Sequence, residues 1–126
     1  MINQINSLKM GKFIISKNTN GEFKYEFLNN NEEVILEKSA YKNKAMCLKV
    51  IESIKRNAQD DSKFYRKRTT ENECYFNLKS SNGQILGTSK IYKDKATRED
   101  AIQLVKIISA DAPVEDYSKL LLKTMA

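Results

Sequence analysis

The 126-residue chain contains no histidine, and that absence removes more chemistry than any residue present adds. Imidazole is the side chain best suited to moving protons near neutral pH, so Ser-His-Asp and Cys-His nucleophile pairs are excluded. Cysteine is scarce too: Cys47 and Cys74 are the only two, and neither belongs to a CxxC pair. A structural zinc site wants four Cys or His ligands at close spacing, so no metal is expected within one chain. No phosphate loop or cofactor motif is visible, so no cofactor is expected. Paired carboxylates or a desolvated lysine leave enzyme chemistry without histidine open only as a minor alternative. Four glycines and one proline are too few for a flexible or low-complexity chain. No apolar run approaches the roughly 20 residues a bilayer demands. The opening Met1-Ile2-Asn3-Gln4-Ile5-Asn6 has no hydrophobic signal core. The expectation is a cytoplasmic, non-enzymatic protein without membrane attachment.

What the chain has is a copy of itself. An ungapped shift of 51 positions lays Lys12–Ala58 over Lys63–Ser109. Lys12-Phe13 meets Lys63-Phe64, Glu22 meets Glu73, and Asn31 meets Asn82. Tyr41-Lys42-x-Lys44-Ala45 meets Tyr92-Lys93-x-Lys95-Ala96, and Ile51 and Lys55 meet Ile102 and Lys106. Units of this size are close to the lower limit for burying a core alone, so the two copies are expected to share one.

Each copy has the same pattern. Phe13-Ile14-Ile15 opens a strand, Asn18-Thr19-Asn20-Gly21 is a turn, and Phe23–Phe27 alternates apolar and charged residues as a half-buried strand does. Asn29–Glu32 turns again before Val34-Ile35-Leu36, so three strands form an antiparallel meander. A helix follows, capped by Asn43, with a core stripe of Ala45, Leu48, Ile51 and Ile54 and with Val50 beside it. The second copy repeats this with strands at 64–68, 74–78 and 84–88 and an Asn82-Gly83 hairpin turn. Its helix is capped by Asp94, striped by Ala101, Ile102, Val105 and Ile108, and stopped before Pro113. Val114–Tyr117 suits a short edge strand, and Cys74, standing where Phe23 stands in the first copy, reads as a small buried hydrophobe. Two β-β-β-α units with helices on one face of antiparallel sheet make an α+β domain. Its expected bounds are 10–117, divided into repeats 10–60 and 61–117. Residues 1–9 form an N-terminal extension and 118–126 a C-terminal tail, whose Leu120-Leu121-Leu122 reads as a terminal helix or packing segment.

This arrangement resembles the YegP-like family of small bacterial proteins, whose function is not established. The resemblance rests on Met10-Gly11-Lys12-Phe13, the turn-plus-aromatic strand, Asn82-Gly83, and Tyr-x-x-Lys-Ala at Tyr41 and Tyr92. It extends to Val50-Ile51-Glu52-Ser53-Ile54-Lys55-Arg56-Asn57-Ala58 and covers most of the chain. It implies two β-β-β-α-β units in one continuous antiparallel sheet, with last strands exchanged between repeats. The chain departs from the family pattern at Asn31-Glu32-Glu33, where Asn-Gly-Glu is usual, and at Lys49-Val50 and Asp100-Ala101, where the family's helices start with Asn-Gly.

Charge supplies the remaining signal, with 22 basic against 16 acidic residues. Arg66, Lys67 and Arg68 lie together on one strand, and Lys42, Lys44, Lys93 and Lys95 recur before the two helices. With Tyr41, Tyr92 and Tyr75 nearby in sequence, these are the candidate contacts for a nucleic acid or a partner. Each also has a plainer explanation. Basic residues on an edge strand block edge pairing, and duplicated tyrosines bury their rings over the sheet and bond their hydroxyls. The first hypothesis is therefore a binding or assembly module acting through its sheet surface or edges, toward an unidentified protein partner or a second copy. The alternative is a weak, sequence-independent nucleic-acid binder.

Overall fold

The computed structural model describes residues 11–119. The N-terminal extension, Met10, and the tail from residue 120 lie outside the described residues. The first copy supplies β1 (Lys12–Lys17), β2 (Phe23–Leu28), β3 (Val34–Tyr41) and α1 (Lys44–Asn57). A single 3-10 turn (Asp61–Lys63) leads to β4 (Phe64–Arg68), β5 (Cys74–Lys79), β6 (Ile85–Ser89), α2 (Lys95–Ile108) and β7 (Val114–Asp116). The strands form one sheet in the order β4-β5-β6-β3-β2-β1-β7. The copies thus meet back to back at β3 and β6.

The hairpin turns share one device. Asn18 Oδ1 accepts from the backbone N–H of Asn20 and Glu22, Asn29 Oδ1 from Asn31 and Glu33, and Thr69 Oγ1 from Glu71 and Glu73. Each turn then needs one residue in the left-handed region. Gly21 (φ 82°) and Gly83 (φ 86°) adopt it freely, whereas Glu32 (φ 62°) and Asn72 (φ 68°) carry a side chain into it. Glu32 stands where the resembling family has glycine, so the departure has a physical cost. Glu32→Gly is expected to raise stability by roughly 1 kcal/mol, read as a higher urea midpoint.

Alternation along the strands sends Phe13, Ile15, Tyr25, Phe27, Leu36, Phe76 and Leu78 to the helix side, all fully buried. Asn43 caps α1 through its side chain and Asp94 caps α2, as their positions before each apolar stripe predict. The second stripe is seated as expected, with Ala101, Ile102, Val105 and Ile108 buried. The first is seated as expected at Ile51 and Ile54, but Ala45 and Leu48 face solvent, and Cys47 and Ala58 are buried instead. Counting Cys47 as an apolar residue gives the better spacing, and burial pushes its thiol pKa up to about 11. Arg98 occupies the matching position in α2 and is only 5% exposed. It donates to Glu99 and to the Lys67 carbonyl on the outer strand. Lys49-Val50 and Asp100-Ala101 fall inside the helices, in the second turn and not at the start.

β7 belongs to the second copy and pairs with β1 of the first, the exchange implied by the resemblance. This pairing is parallel, while every other strand pair is antiparallel. Phe13 N–H donates to Pro113 O and Tyr117 N–H to Ile15 O, both at 2.8 Å. The segment after α1 opens the second copy as β4, so it cannot also close the first.

At the seam only Leu36 with Ser89 and Glu37 with Thr88 pair as β3 and β6 neighbours. Tyr25 reaches across from β2 and donates its hydroxyl to Leu86 O at 2.8 Å. Gly87 leaves the room for it, because a Cβ there would collide with the Tyr25 hydroxyl and with Leu36. Gly87→Ala is expected to destabilise by ~1–3 kcal/mol as an overpacking defect. In a double-mutant cycle with Tyr25→Phe, denaturant midpoints should show less than additive loss, since removing the hydroxyl relieves part of the clash.

Candidate functional site

Both helices pack on one side, so the outward residues of each strand form an open sheet face. Strand register places Tyr65, Asn77, Thr88, Glu37, Glu26, Ile14 and Glu115 side by side in one row across all seven strands. The row has two chemically different ends. On β4 and β5, Tyr65 and Lys67 alternate outward beside Tyr75, Asn77 and Lys79. Lys79 Nζ lies 4.2 Å from the Tyr65 ring centroid, a cation–π contact. Thr88 donates its hydroxyl to Asn77 Oδ1 at 2.8 Å, holding the amide flat in the row. Toward the other end Glu26 and Glu37 are direct neighbours, an unfavourable like-charge pair relieved by Lys24, 3.5 Å from Glu26. Glu115 pairs with Lys12 at 3.6 Å and accepts from the Tyr117 hydroxyl, which holds its carboxyl low.

The residues singled out in sequence are divided by the fold. Arg66 turns to the helix side, where its guanidinium bonds Glu99 at 2.9 Å and Asp61 at 3.1 Å. Lys106 joins the same Asp61 at 2.6 Å. Bonding to Glu99 raises the Arg66 pKa and lowers that of Glu99, while the bonds from Lys106 and then Arg66 lower that of Asp61. Arg68 is folded onto its own turn, donating to the Asn72 carbonyl and side chain. Lys44 is ion-paired to Asp116 of β7 at 2.5 Å. Lys42, Lys93 and Lys95 are exposed and make no ion pair among the described residues. Tyr41 is buried and Tyr92 half-buried, as the structural explanation requires, yet neither hydroxyl has a hydrogen-bond partner among the described residues. Burial pushes Tyr41 up to about 12.

Of that set, the structure places Lys67 and Tyr75 together, opposite each other on the open face. It adds Tyr65 and Lys79, which sequence reasoning did not select. The period-2 alternation of 65/67 and 75/77/79 carried the signal; the cross-strand register that unites them did not exist in one dimension.

The chain matches the model of a domain of unknown function, DUF1508, twice, over residues 18–64 and 70–116. The chain belongs to this family. A UPF0339 protein of the ptx operon 5′ region from Stutzerimonas stutzeri is 40% identical over 104 residues, covering 82% of this chain and 94% of the relative. The UPF0339 protein YegP of Escherichia coli is 33% identical over 106 residues, covering 84% and 96%. The solution NMR structure of a UPF0339 protein from Shewanella oneidensis superposes with a TM-score of 0.83 at 31% identity, covering 87% of this chain and 93% of that one. That of E. coli yegP gives 0.81 at 31%, covering 86% and 94%. The architecture of this chain is therefore shared with both solved relatives. No helix among the described residues is long and apolar enough to cross a membrane.

Asp116 anchors the exchanged strand electrostatically. Burial works against its charge, but the bonds from Lys44 and Ser118 outweigh it and hold its pKa at about 2, against 3.8 ordinarily. A depressed carboxyl contributes stability that is present above its unfolded pKa and lost as pH falls through the folded one. Between those two values the wild type should lose stability more steeply than Asp116→Asn, as followed by urea midpoints across an acid pH series. Above that window the wild type should be the more stable.

Proposed function

We propose that this chain is a non-enzymatic cytoplasmic binding module that engages a protein partner through its open sheet face. One observation carries the reading: the basic, aromatic end formed by Tyr65, Lys67, Tyr75 and Lys79 lies outward on two paired strands, opposite the helix layer. Rigid strands present these side chains in a fixed register, and tyrosine gives large contact area with few rotamers to freeze. The acidic stretch Glu26, Glu37 and Glu115 at the far end gives the face a polarity that selects the orientation of what binds.

The absence of catalysis is supported by residue chemistry. With no histidine, one remaining route to a general acid is a carboxyl raised toward neutrality. Asp60, Asp61, Asp94, Glu99, Glu115 and Asp116 are all shifted the other way. The buried Cys47 thiol, raised by desolvation, is a poor nucleophile. Two unpaired cysteines suit a reducing compartment.

A second reading, sequence-independent nucleic-acid binding, is favoured by the same patch, since rings beside ammonium groups stack bases and track phosphates. It rests on Lys67 and Lys79, because the carboxylates around Arg66 and the turn around Arg68 already occupy those guanidinium groups. Capture from a bacterial lysate with and without nuclease, repeated with Lys67→Glu/Tyr75→Ala, separates the two. Nuclease-resistant capture that the double variant loses by tenfold or more, about 1.4 kcal/mol, is the expected result. Capture abolished by nuclease, and falling steeply with salt, selects the second reading. Capture unaffected by the double variant overturns both.

A further inference from the structure

A cleft opens on the other side of the molecule, between α1 and the turn joining β5 to β6. It encloses about 1210 Å³. Lys38, Lys49, Arg56 and Lys63 line it, with Asp60 as the one carboxylate among the lining residues. Lys49, Ser53 and Arg56 follow helical spacing and so share one flank of α1, the two cations roughly 10 Å apart along the axis. Val50, Ile85 and Leu86 provide an apolar floor, and the buried Tyr41 stands in the wall.

The internal duplication supplies a control that few proteins offer. A shift of 51 positions carries this surface onto the one between α2 and the β2–β3 turn, built on the same backbone plan. There Lys38, Lys49 and Arg56 become Ser89, Asp100 and Ile107, and Gln84 becomes Glu33. The fold therefore does not require these three cations, since it forms without them one repeat away. Nor are they consumed by ion pairs. Among the described residues Lys38, Lys49 and Arg56 have no carboxylate partner, and only Lys63 reaches Asp60, at 3.6 Å. Elsewhere Lys44, Arg66, Arg98 and Lys106 are all paired.

We propose that this cleft binds a small amphipathic phosphate ester. Its phosphates would lie among Lys38, Lys49 and Arg56, and its apolar part on Val50, Ile85 and Leu86. Several converging cations, one of them a planar guanidinium fork, match phosphate oxygens better than a lone carboxylate. The apolar floor distinguishes an organic ester from bare phosphate. A nucleic-acid strand fits less well, because the only lining ring is Tyr41 and it is buried, leaving no platform on which bases stack. The site lies across the sheet from the open face, so either assignment can fail without the other.

The test is titration of the isotope-labelled full chain with a nucleoside triphosphate, with inorganic tripolyphosphate and with a short single-stranded oligonucleotide, followed by amide chemical shifts. The expected result is saturable binding of the nucleoside triphosphate with shifts confined to residues 38–41, α1 and the turn that follows it to residue 63, and residues 80–86, and at least tenfold weaker binding of tripolyphosphate. Lys49→Glu/Arg56→Glu should weaken binding by more than tenfold. Lys93→Glu/Lys95→Glu, the same change in net charge away from the cleft, should leave it unaltered. No shifts, equal binding of both phosphates, tighter binding of the oligonucleotide, or equal loss in the two charge-reversed variants would each overturn the proposal.

Discussion

The two repeats are held as one protein by a seam only two residue pairs long, where β3 meets β6. A join so short cannot be secured by backbone bonds alone. Tyr25 spans it from one strand further away, and its hydroxyl satisfies Leu86 O inside the core. That contact depends on Gly87, whose missing side chain is replaced in the other copy by Leu36, just as Tyr25 is replaced by Phe76. Large meets small across the pseudo-twofold axis, and the pair has diverged together. A phenol bonded in a dry interior is costly to leave unpaired, so this contact also fixes which register the seam adopts. Around it the helices close one core over both sheet halves.

The two ends of the sheet are protected differently. β1 is covered by the exchanged β7, anchored by Lys44 to Asp116. Among the described residues β4 has no strand outside it. There Arg98 donates to the Lys67 carbonyl, while Arg66 is gathered in by Asp61 and Glu99. Side chains thus blunt the edge that the backbone leaves open. In the basic strand, Arg66 and Arg68 are engaged within the protein, while Lys67 faces outward.

The sequence by itself determined the repeat, the order of elements, both helix caps, the hairpin turns and the second core stripe. All are local, set by residue spacing, side-chain capping chemistry and the tolerance of Asn and Gly for turn geometry. It also placed Tyr75 on the opposite face from its neighbours. The first helix stripe was read correctly at Ile51 and Ile54 but not in its first turns, because Cys47 was set apart from the apolar residues, although a free thiol buries as one.

Only the tertiary structure decided which cations are available and which are consumed. Arg66 and Lys67 are adjacent in sequence, yet one faces two carboxylates below the sheet and the other faces water above it. Asp61 and Glu99 become partners only when the 3-10 turn and α2 converge on β4. The open-face row and the basic cleft both join residues from different repeats, so neither leaves a motif in linear order. Charge is fixed by composition, but the work a charge does depends on its neighbours in space, because Coulomb attraction and desolvation act over a few ångströms and not along the chain.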